Sequence, residues 1–281
     1  MWLRLGRRRS GRHERQLRRV LSMESAARQK SGLISIVVPM YHAADYIAHT
    51  LDMVRAQTYE NWELILVEDG PGDGSAEAVG AYLRAHEDPR IRLLRQKRNA
   101  GAARARNIGV DAAGGRYLAY LDADDVWLPD KLMKELAFLK EKQAGFVFTA
   151  YEFGDADARG TGKIVHVPET LSYREALSRT VIFTSTVLFD LKQIPKELVR
   201  MPEVKSEDTA AWWRILRNGY LAYGLDEVTA VYRRPANSLS SNKLEAIRRV
   251  WALYRKQEGL SVFESMRYFC GWALRATLRR I

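Results

Sequence analysis

The sequence lacks the residues that would place it in several large protein classes. Of its 281 residues only one is cysteine, Cys270. A single thiol excludes an internal disulfide and a cysteine-based zinc site, and it fits a reducing cytosol. No apolar run reaches the 18 or more residues that span a bilayer, and there is no secretory apolar core. Acids are also short, with 34 Asp and Glu against 45 Lys and Arg, a formal charge of +11. The shortage is confined to the two ends. Residues 1–30 hold ten basic and two acidic residues and residues 243–281 hold nine and three, whereas 31–242 hold 26 and 29. A slightly acidic centre argues against a nucleic-acid groove across the core. Basic ends favour an anionic surface, phospholipid or nucleic acid.

What is present describes a globular protein with ample core, at 47% hydrophobic and 10% aromatic residues. Residues 1–30 are Arg-rich and carry a short basic helix from about Glu14 or an extension; a mitochondrial-type presequence has the same composition. Buried strands are expected at Leu33–Pro39 (stopped by its proline), Trp62–Val67, Ile91–Leu94, Arg116–Leu121 and Gly145–Thr149. Helical patterns lie between them, with a small-residue helix opening near Asn99 and another running from Pro129 to about Lys142. This alternation predicts an α/β fold, a three-layer α/β/α sandwich around a mostly parallel sheet, followed by C-terminal helices. Further on, a hairpin tip is expected over Gly154–Gly162, a strand at Thr184–Phe189, a helix from Ser206 and a strand at Val228–Arg233. The last helix, about Val262 to Ile281, has Phe263, Met266, Phe269, Cys270, Ala273 and Leu274 at spacings that share one face, with Tyr268 and Trp272 near its edges.

The chain is organised around Arg116–Asp125, an apolar strand that ends in Asp122, Asp124 and Asp125. In open α/β sheets ligands sit beyond the carboxyl ends of such strands. Clustered acids repel unless a cation lies among them, and oxygen ligands favour Mg²⁺ or Mn²⁺ over zinc. The bland alternative is an Asp-rich turn with Asp125 merely solvated. A base pocket, ribose contacts and a seat for a diphosphate could be built nearby. Tyr41, past the first strand, offers a ring to stack on a pyrimidine, and Asp69, past the second, can accept from a ring N–H. Arg104 and Arg106, on one helix, can meet a diphosphate or tie the acidic loop together, and both roles stay open at this point.

Five segments in order carry a resemblance: Val37-Val-Pro-Met-Tyr41, Val67-Glu-Asp-Gly70, Asn99-Ala-Gly-Ala-Ala-Arg-Ala-Arg-Asn107, Leu121-Asp-Ala-Asp-Asp125, and Ser206-Glu-Asp208 ahead of Trp212-Trp213. Residues 33–233 resemble an inverting glycosyltransferase of family 2, with the GT-A type, Rossmann-like nucleotide-diphosphosugar fold. The resemblance implies a catalytic domain over 31–242, between a basic extension (1–30) and basic amphipathic helices (243–281). It implies a UDP-sugar donor held by Pro39, Tyr41, Asp69, Arg104, Arg106, Asp122 and Arg233, and Mn²⁺ or Mg²⁺ held by Asp124 and Asp122. Asp208 is the implied general base, with Glu207 the runner-up. Three positions depart from the family pattern: Glu68 for a common Asp, His42 for a frequent Asn, and Pro235 for a frequent His. The diphosphate then falls to Arg233, Arg234 or Ser238.

The tail is similar to that of enzymes of O-antigen and capsule assembly, some of which add a hexose to a sugar on undecaprenyl diphosphate. The expected partners are a UDP-sugar, a saccharide acceptor on undecaprenyl diphosphate and the inner face of the cell membrane, where the protein would sit peripherally in the cytoplasm. No nucleic-acid partner is expected. The competing readings are a nucleotidyltransferase of related fold, which lacks its Gly-rich loop here, and a non-enzymatic basic protein that binds nucleic acid or membrane.

Overall fold

The structure is a computed structural model, and it describes residues 31–233 and 243–278. Strands covered on both faces must be apolar throughout. β1 (Ile34–Met40), β2 (Trp62–Glu68) and β4 (Tyr117–Tyr120) are of this kind and almost wholly buried, while β3 (Ile91–Arg95) is half-covered at the sheet edge. These four are parallel, in the order β3-β2-β1-β4. The helices α1 (Ile47–Arg55), α2 (Ser75–Ala85) and α3 (Ala102–Ala112) make the crossovers. The small residues of α3 bring it close to the sheet: a Cβ on Gly109 would lie 2.3 Å from Val37 Cγ1.

Beyond β4 the sheet is mixed. β5 (Val126–Trp127) and α4 (Lys131–Glu141) lead into β6 (Phe146–Gly154), β7 (Gly160–Val165) and β8 (Thr170–Leu171). α5 (Tyr173–Leu177), β9 (Val187–Asp190), α6 (Lys196–Val199), α7 (Glu207–Arg217) and β10 (Ala222–Arg233) complete the domain. β9 lies antiparallel between β4 and β6, and β10 runs parallel to β6. The full path is β3-β2-β1-β4-β9-β6-β10-β5, with β7 on β6 and β8 on β10. An aromatic cluster of Tyr120, Phe146, Phe189 and Trp212 joins β4, β6 and β9 to α7.

Two expectations need correction and the bland alternative for Asp125 falls. Pro39 does not stop β1, which continues to Met40. Val37 gives its carbonyl to Leu121 on the β4 side, and Pro39 faces that same side after β4 has ended, so its missing N–H leaves no ladder bond unmade. Asp125 is not solvated; it is 2% exposed. The last helix does not keep its apolar residues on one face. After α8 (Lys243–Ala252) and a π-helical turn over Leu253–Gln257, α9 (Val262–Leu278) turns Phe269 inward against Trp251 and Trp272. Trp272 also donates to the Thr180 hydroxyl, 3.1 Å. Phe263, Met266, Cys270 and Leu274 stay exposed on the opposite side. Among the described residues no helix is long and apolar enough to cross a membrane. The expectations for residues 1–30 and for Arg234, Pro235 and Ser238 lie outside the described residues.

Candidate active site

β1 sits between β2 and β4, so the strand order reverses there, and a crevice opens at their carboxyl ends. It encloses about 500 Å³ and is lined by Pro39, Tyr41, Asp69, Arg106, Asp122 and Asp124, with Tyr46 and His42 beside them. Six of the ten residues singled out from sequence thus meet around one cavity.

Each wall has a local cause. Gly70 adopts φ +95°, and a Cβ there would lie 2.5 Å from the backbone nitrogen of Asn99. Only glycine lets the loop after β2 touch the loop before α3. The contact is locked by Asp69, whose Oδ1 accepts from Gln96 Nε2 and Ala100 N and whose Oδ2 accepts from Gly101 N, at 2.8–2.9 Å. A carboxylate has about four acceptor positions, so one on Oδ2 remains. Glu68, the departure beside it, is buried and paired across strands with Arg95 at 2.7 Å. Tyr41 stands at 56% exposure, its ring 4.2 Å from that of His42 with exposed aromatic surface left for a flat ligand. His42 has φ +51° and gives its backbone N–H to Asp73 at 2.7 Å, which makes it a loop residue.

The acidic turn hangs on Ser185, a buried residue that no sequence motif marks. Its hydroxyl accepts from Asp122 N at 3.1 Å and donates to Asp125 Oδ2 at 2.6 Å, and its carbonyl accepts from Trp127 Nε1 at 2.6 Å. Thr50 holds the same turn by donating to the Ala123 carbonyl, 2.8 Å. Asp125 is therefore structural, and burial, with Asp122 and Asp124 adding repulsion, pushes its carboxyl well above the usual range. Asp124 differs: it lines the cavity, among the described residues it makes no side-chain hydrogen bond, and its carboxyl is raised by burial and by the charge of Asp122.

Helix geometry separates the two candidate arginines. Residues two apart on a helix point about 200° apart, so one must face away. Arg104 is exposed and lines no part of the cavity, which corrects its expected role in donor binding. Arg106 is 5% exposed and bridges two acidic segments, to Asp122 Oδ1 at 2.5 Å and Glu207 Oε1 at 2.8 Å. The next residue, Asn107, exchanges two hydrogen bonds with the backbone of Met201, 2.7 and 2.8 Å, and so fixes the segment leading to that acid.

Glu207 and Asp208 open α7 after Ser206, a non-glycine residue at φ +58°. A left-handed conformation at a serine costs of order 1 kcal/mol or more and persists where surrounding contacts impose it. Asp208 Oδ1 accepts from Thr209 N at 2.6 Å and Oδ2 from Thr184 Oγ1 at 3.3 Å. Lost hydration, with Glu207 adding to it, raises its carboxyl above the ordinary range. Arg233 does not line the cavity but anchors its rim: its Nε donates to the Asp124 carbonyl at 2.6 Å, and its guanidinium lies over the Tyr46 ring, 4.7 Å from the centroid.

The sequence model of the family described as "Glycosyl transferase family 2" matches residues 35–188, more than half of the chain. The chain belongs to glycosyl transferase family 2. Relatives cover nearly all of it. A Bacillus subtilis protein described as a putative teichuronic acid biosynthesis glycosyltransferase, TuaG, is 38% identical over 250 residues, 89% of this chain and 98% of TuaG. Escherichia coli WfgD, described as a UDP-Glc:α-D-GlcNAc-diphosphoundecaprenol β-1,3-glucosyltransferase, is 32% identical over 220 residues, 78% and 84% of the two chains. Among solved structures, the Pyrobaculum calidifontis mannosyltransferase PcManGT, in complex with GDP-Man and Mn²⁺, aligns with a TM-score of 0.66 at 19% identity, covering 90% of this chain and 75% of that one. S. aureus TarS 1–349 in complex with UDP-GlcNAc aligns at 0.63 and 18%, covering 85% and 71%. These likenesses establish the GT-A-like fold. The glycosyltransferase family sets aside both the nucleotidyltransferase and the non-enzymatic readings.

Proposed function

We propose that this glycosyltransferase inverts the anomeric centre while moving a hexose from a UDP-sugar to a sugar acceptor carried on a lipid diphosphate, in the assembly of a cell-surface polysaccharide such as O-antigen or capsule. The observation that carries the reading is the crevice at the β1–β4 switch point, tied by one buried arginine to a second acid pair at the start of α7. The likeness to TuaG supports the polysaccharide setting, that to WfgD the lipid-diphosphate acceptor, and the UDP-GlcNAc complex of TarS a UDP-sugar.

In this reading Tyr41 covers the uracil, the spare Oδ2 position of Asp69 accepts its ring N–H, and Pro39 walls the pocket. Asp122, held by Arg106, meets the ribose. Asp124 would hold Mn²⁺ or Mg²⁺. The donor set fits: Asp124 and Asp122 both line the crevice, and such cations are commonly bound by one or two carboxylates plus substrate phosphates. An unpartnered carboxylate whose protonation is favoured by burial is also one that a cation would relieve. When bound, the ion supplies charge neutralisation at the leaving diphosphate. Arg233 braces the Asp124 turn.

Asp208 takes the proton from the acceptor hydroxyl as that oxygen bonds to the anomeric carbon and the bond to the β-phosphate oxygen breaks, releasing UDP. A hydroxyl attacks poorly at neutral pH without a base, and a carboxylate with raised proton affinity is the better one. With one base and no second nucleophile between donor and acceptor, a single displacement inverts the centre. Glu207, engaged by Arg106, holds the turn. The exposed stripe of Phe263, Met266 and Leu274 beside Arg267 and Arg275 supports a peripheral position at the inner, anionic face of the cell membrane.

The test is a screen of UDP-sugars with Mn²⁺ against prenyl-diphosphate-linked sugars, with the linkage of any product read by NMR. A product whose new linkage has the opposite anomeric configuration to the donor supports the reading; retention, or transfer only from other nucleotide sugars, refutes it.

A further inference from the structure

A second cavity, of about 420 Å³, lies between α8 with its π-helical turn and the segment that runs into Ser206-Glu207-Asp208. Four cations line it, Lys205, Arg248, Arg249 and Lys256, against one acid, Glu245. Glu245 is engaged by Lys205 at 2.7 Å. Arg248 and Lys256 are exposed and make no ion pair among the described residues. Unpaired cations converging on a concavity raise the local concentration of anions. The π-helical turn bears Lys256, and such turns interrupt helices frequently at functional sites.

We infer that this cavity is the subsite for the acceptor's diphosphate, resting on the proposed lipid-diphosphate acceptor and adding the residues that recognise it. Three features favour a diphosphate over a carboxylate or a neutral sugar. The charge excess is several units, the donors are a mixture of guanidinium and ammonium, and the volume exceeds what one carboxylate fills. Position agrees as well. Lys205 and Asp208 are three residues apart, which keeps their Cα atoms within about 11 Å. One sugar ring separates an accepting hydroxyl from the phosphate on its own anomeric carbon, so a phosphate seated at Lys205 leaves that hydroxyl within reach of Asp208. The lining also includes Val204, Ala252 and Leu253, and α8 carries Leu244 at 67% exposure, so apolar surface continues outward for the start of a lipid chain.

The test uses the full chain, a UDP-sugar and two acceptors with the same sugar, one on a short prenyl diphosphate and one on an uncharged alkyl chain. Arg248→Ala/Lys256→Ala is expected to lower the preference for the diphosphate acceptor, as the ratio of the two kcat/KM values, by about 10- to 100-fold, chiefly through KM. An unchanged ratio overturns the inference. In parallel, inorganic diphosphate is titrated calorimetrically into UDP-saturated protein, so that the donor crevice is filled. Binding by wild type that the double variant loses supports the subsite; equal binding by both, or none by wild type, overturns it. Diphosphate binding with an unchanged acceptor ratio assigns the cavity to free phosphates and also overturns the acceptor role. If wild type uses neither acceptor, the proposed function fails while the titration still decides the cavity. Both side chains are exposed and make no ion pair among the described residues, and a Lys256→Glu variant repeats the test with the charge reversed.

Discussion

Replacing Arg106 by methionine keeps most of the side-chain volume and removes the buried cation that faces Asp122, Glu207 and Asp208. Burial alone disfavours the charged guanidinium, but Asp122 and Glu207, with Asp208 behind them, outweigh it and hold the group firmly protonated. Removing one partner of a buried ion pair leaves uncompensated charge and costs about 3–5 kcal/mol. For a chain of this length that is a melting-temperature loss of roughly 5–15 °C.

The loss must depend on pH, and its sign follows from the acids. Asp208 is already raised in the fold by burial and by Glu207, with Arg106 opposing the shift, so without the arginine its folded-state proton affinity rises further above the unfolded value. A group whose folded pKa is raised contributes stability that is present below its unfolded pKa and is lost as pH rises through the folded one. The deficit of Arg106→Met should therefore be small near pH 5, widen toward pH 8, and shrink when Mn²⁺ is added. The acid limb of its residual transferase activity should also move to higher pH than in wild type, because Asp208 loses a nearby positive charge. Calorimetry from pH 5 to 8, with and without Mn²⁺, checks the stability claim beside a pH–rate profile. Arg106→Lys, which keeps the charge but loses the fork across two acids, should fall between the two. A deficit constant across that pH range would mean the arginine matters only as packing. A deficit below about 0.5 kcal/mol, the size of an ordinary surface change, would refute the bridge altogether.

Three further outcomes follow from the site and the surface. Asp208→Asn should leave UDP-sugar affinity nearly unchanged while transfer falls by about 10²-fold or more; a large affinity loss with modest rate loss, read by calorimetry beside turnover, would make it a binding group instead. Asp124→Asn should abolish Mn²⁺-dependent turnover without lowering the melting temperature, since one fewer crowded carboxylate relieves repulsion; activity within about tenfold of wild type at saturating Mn²⁺ would contradict a loss of several kcal/mol at the transition state. Full-length protein should float with vesicles containing anionic lipid, and Phe263→Ser/Leu274→Ser should weaken this; equal flotation of both, or of neither, removes α9 from membrane docking.

The sheet and the crevice were legible because both follow from short-range rules. Continuous apolar runs marked β1, β2 and β4, and the acids fell at a strand end where α/β sheets open. What stayed hidden needed distances across the fold. Arg104 and Arg106 are equivalent by composition, and only the packing of α3, which Gly109 brings against Val37, decides which one faces the acids. A solvated Asp125 stayed open as an alternative because its partner, Ser185, is 60 positions away on a segment with no charged residue to advertise it. The polar triplet Thr184-Ser-Thr186 ahead of an apolar strand was the available signal, and all three residues are buried. Likewise Phe269 fits the apolar face of an isolated helix, and only its contact with Trp251, from another helix, turns it inward.

The two anionic substrates proposed here would meet opposite electrostatics. The donor crevice presents Asp69, Asp122 and Asp124 beside a single lining arginine, Arg106, that is already committed to Asp122 and Glu207. A UDP diphosphate can enter such a site only if positive charge comes with it, which is what Asp124, raised and unpartnered, is suited to receive. The second cavity has the reverse balance, with four cations against one engaged acid, and needs no added ion to hold a phosphate. Between them stand Glu207 and Asp208, whose turn is fixed from the donor side by Arg106 and whose approach segment, through Lys205, lines the other cavity. In the proposed reading that division would keep the diphosphates apart, with the donor side needing a metal and the basic cavity taking the acceptor's phosphate. It also explains why the excess basic charge of the described structure belongs at its C-terminal helices and not in the crevice where the chemistry is proposed to occur.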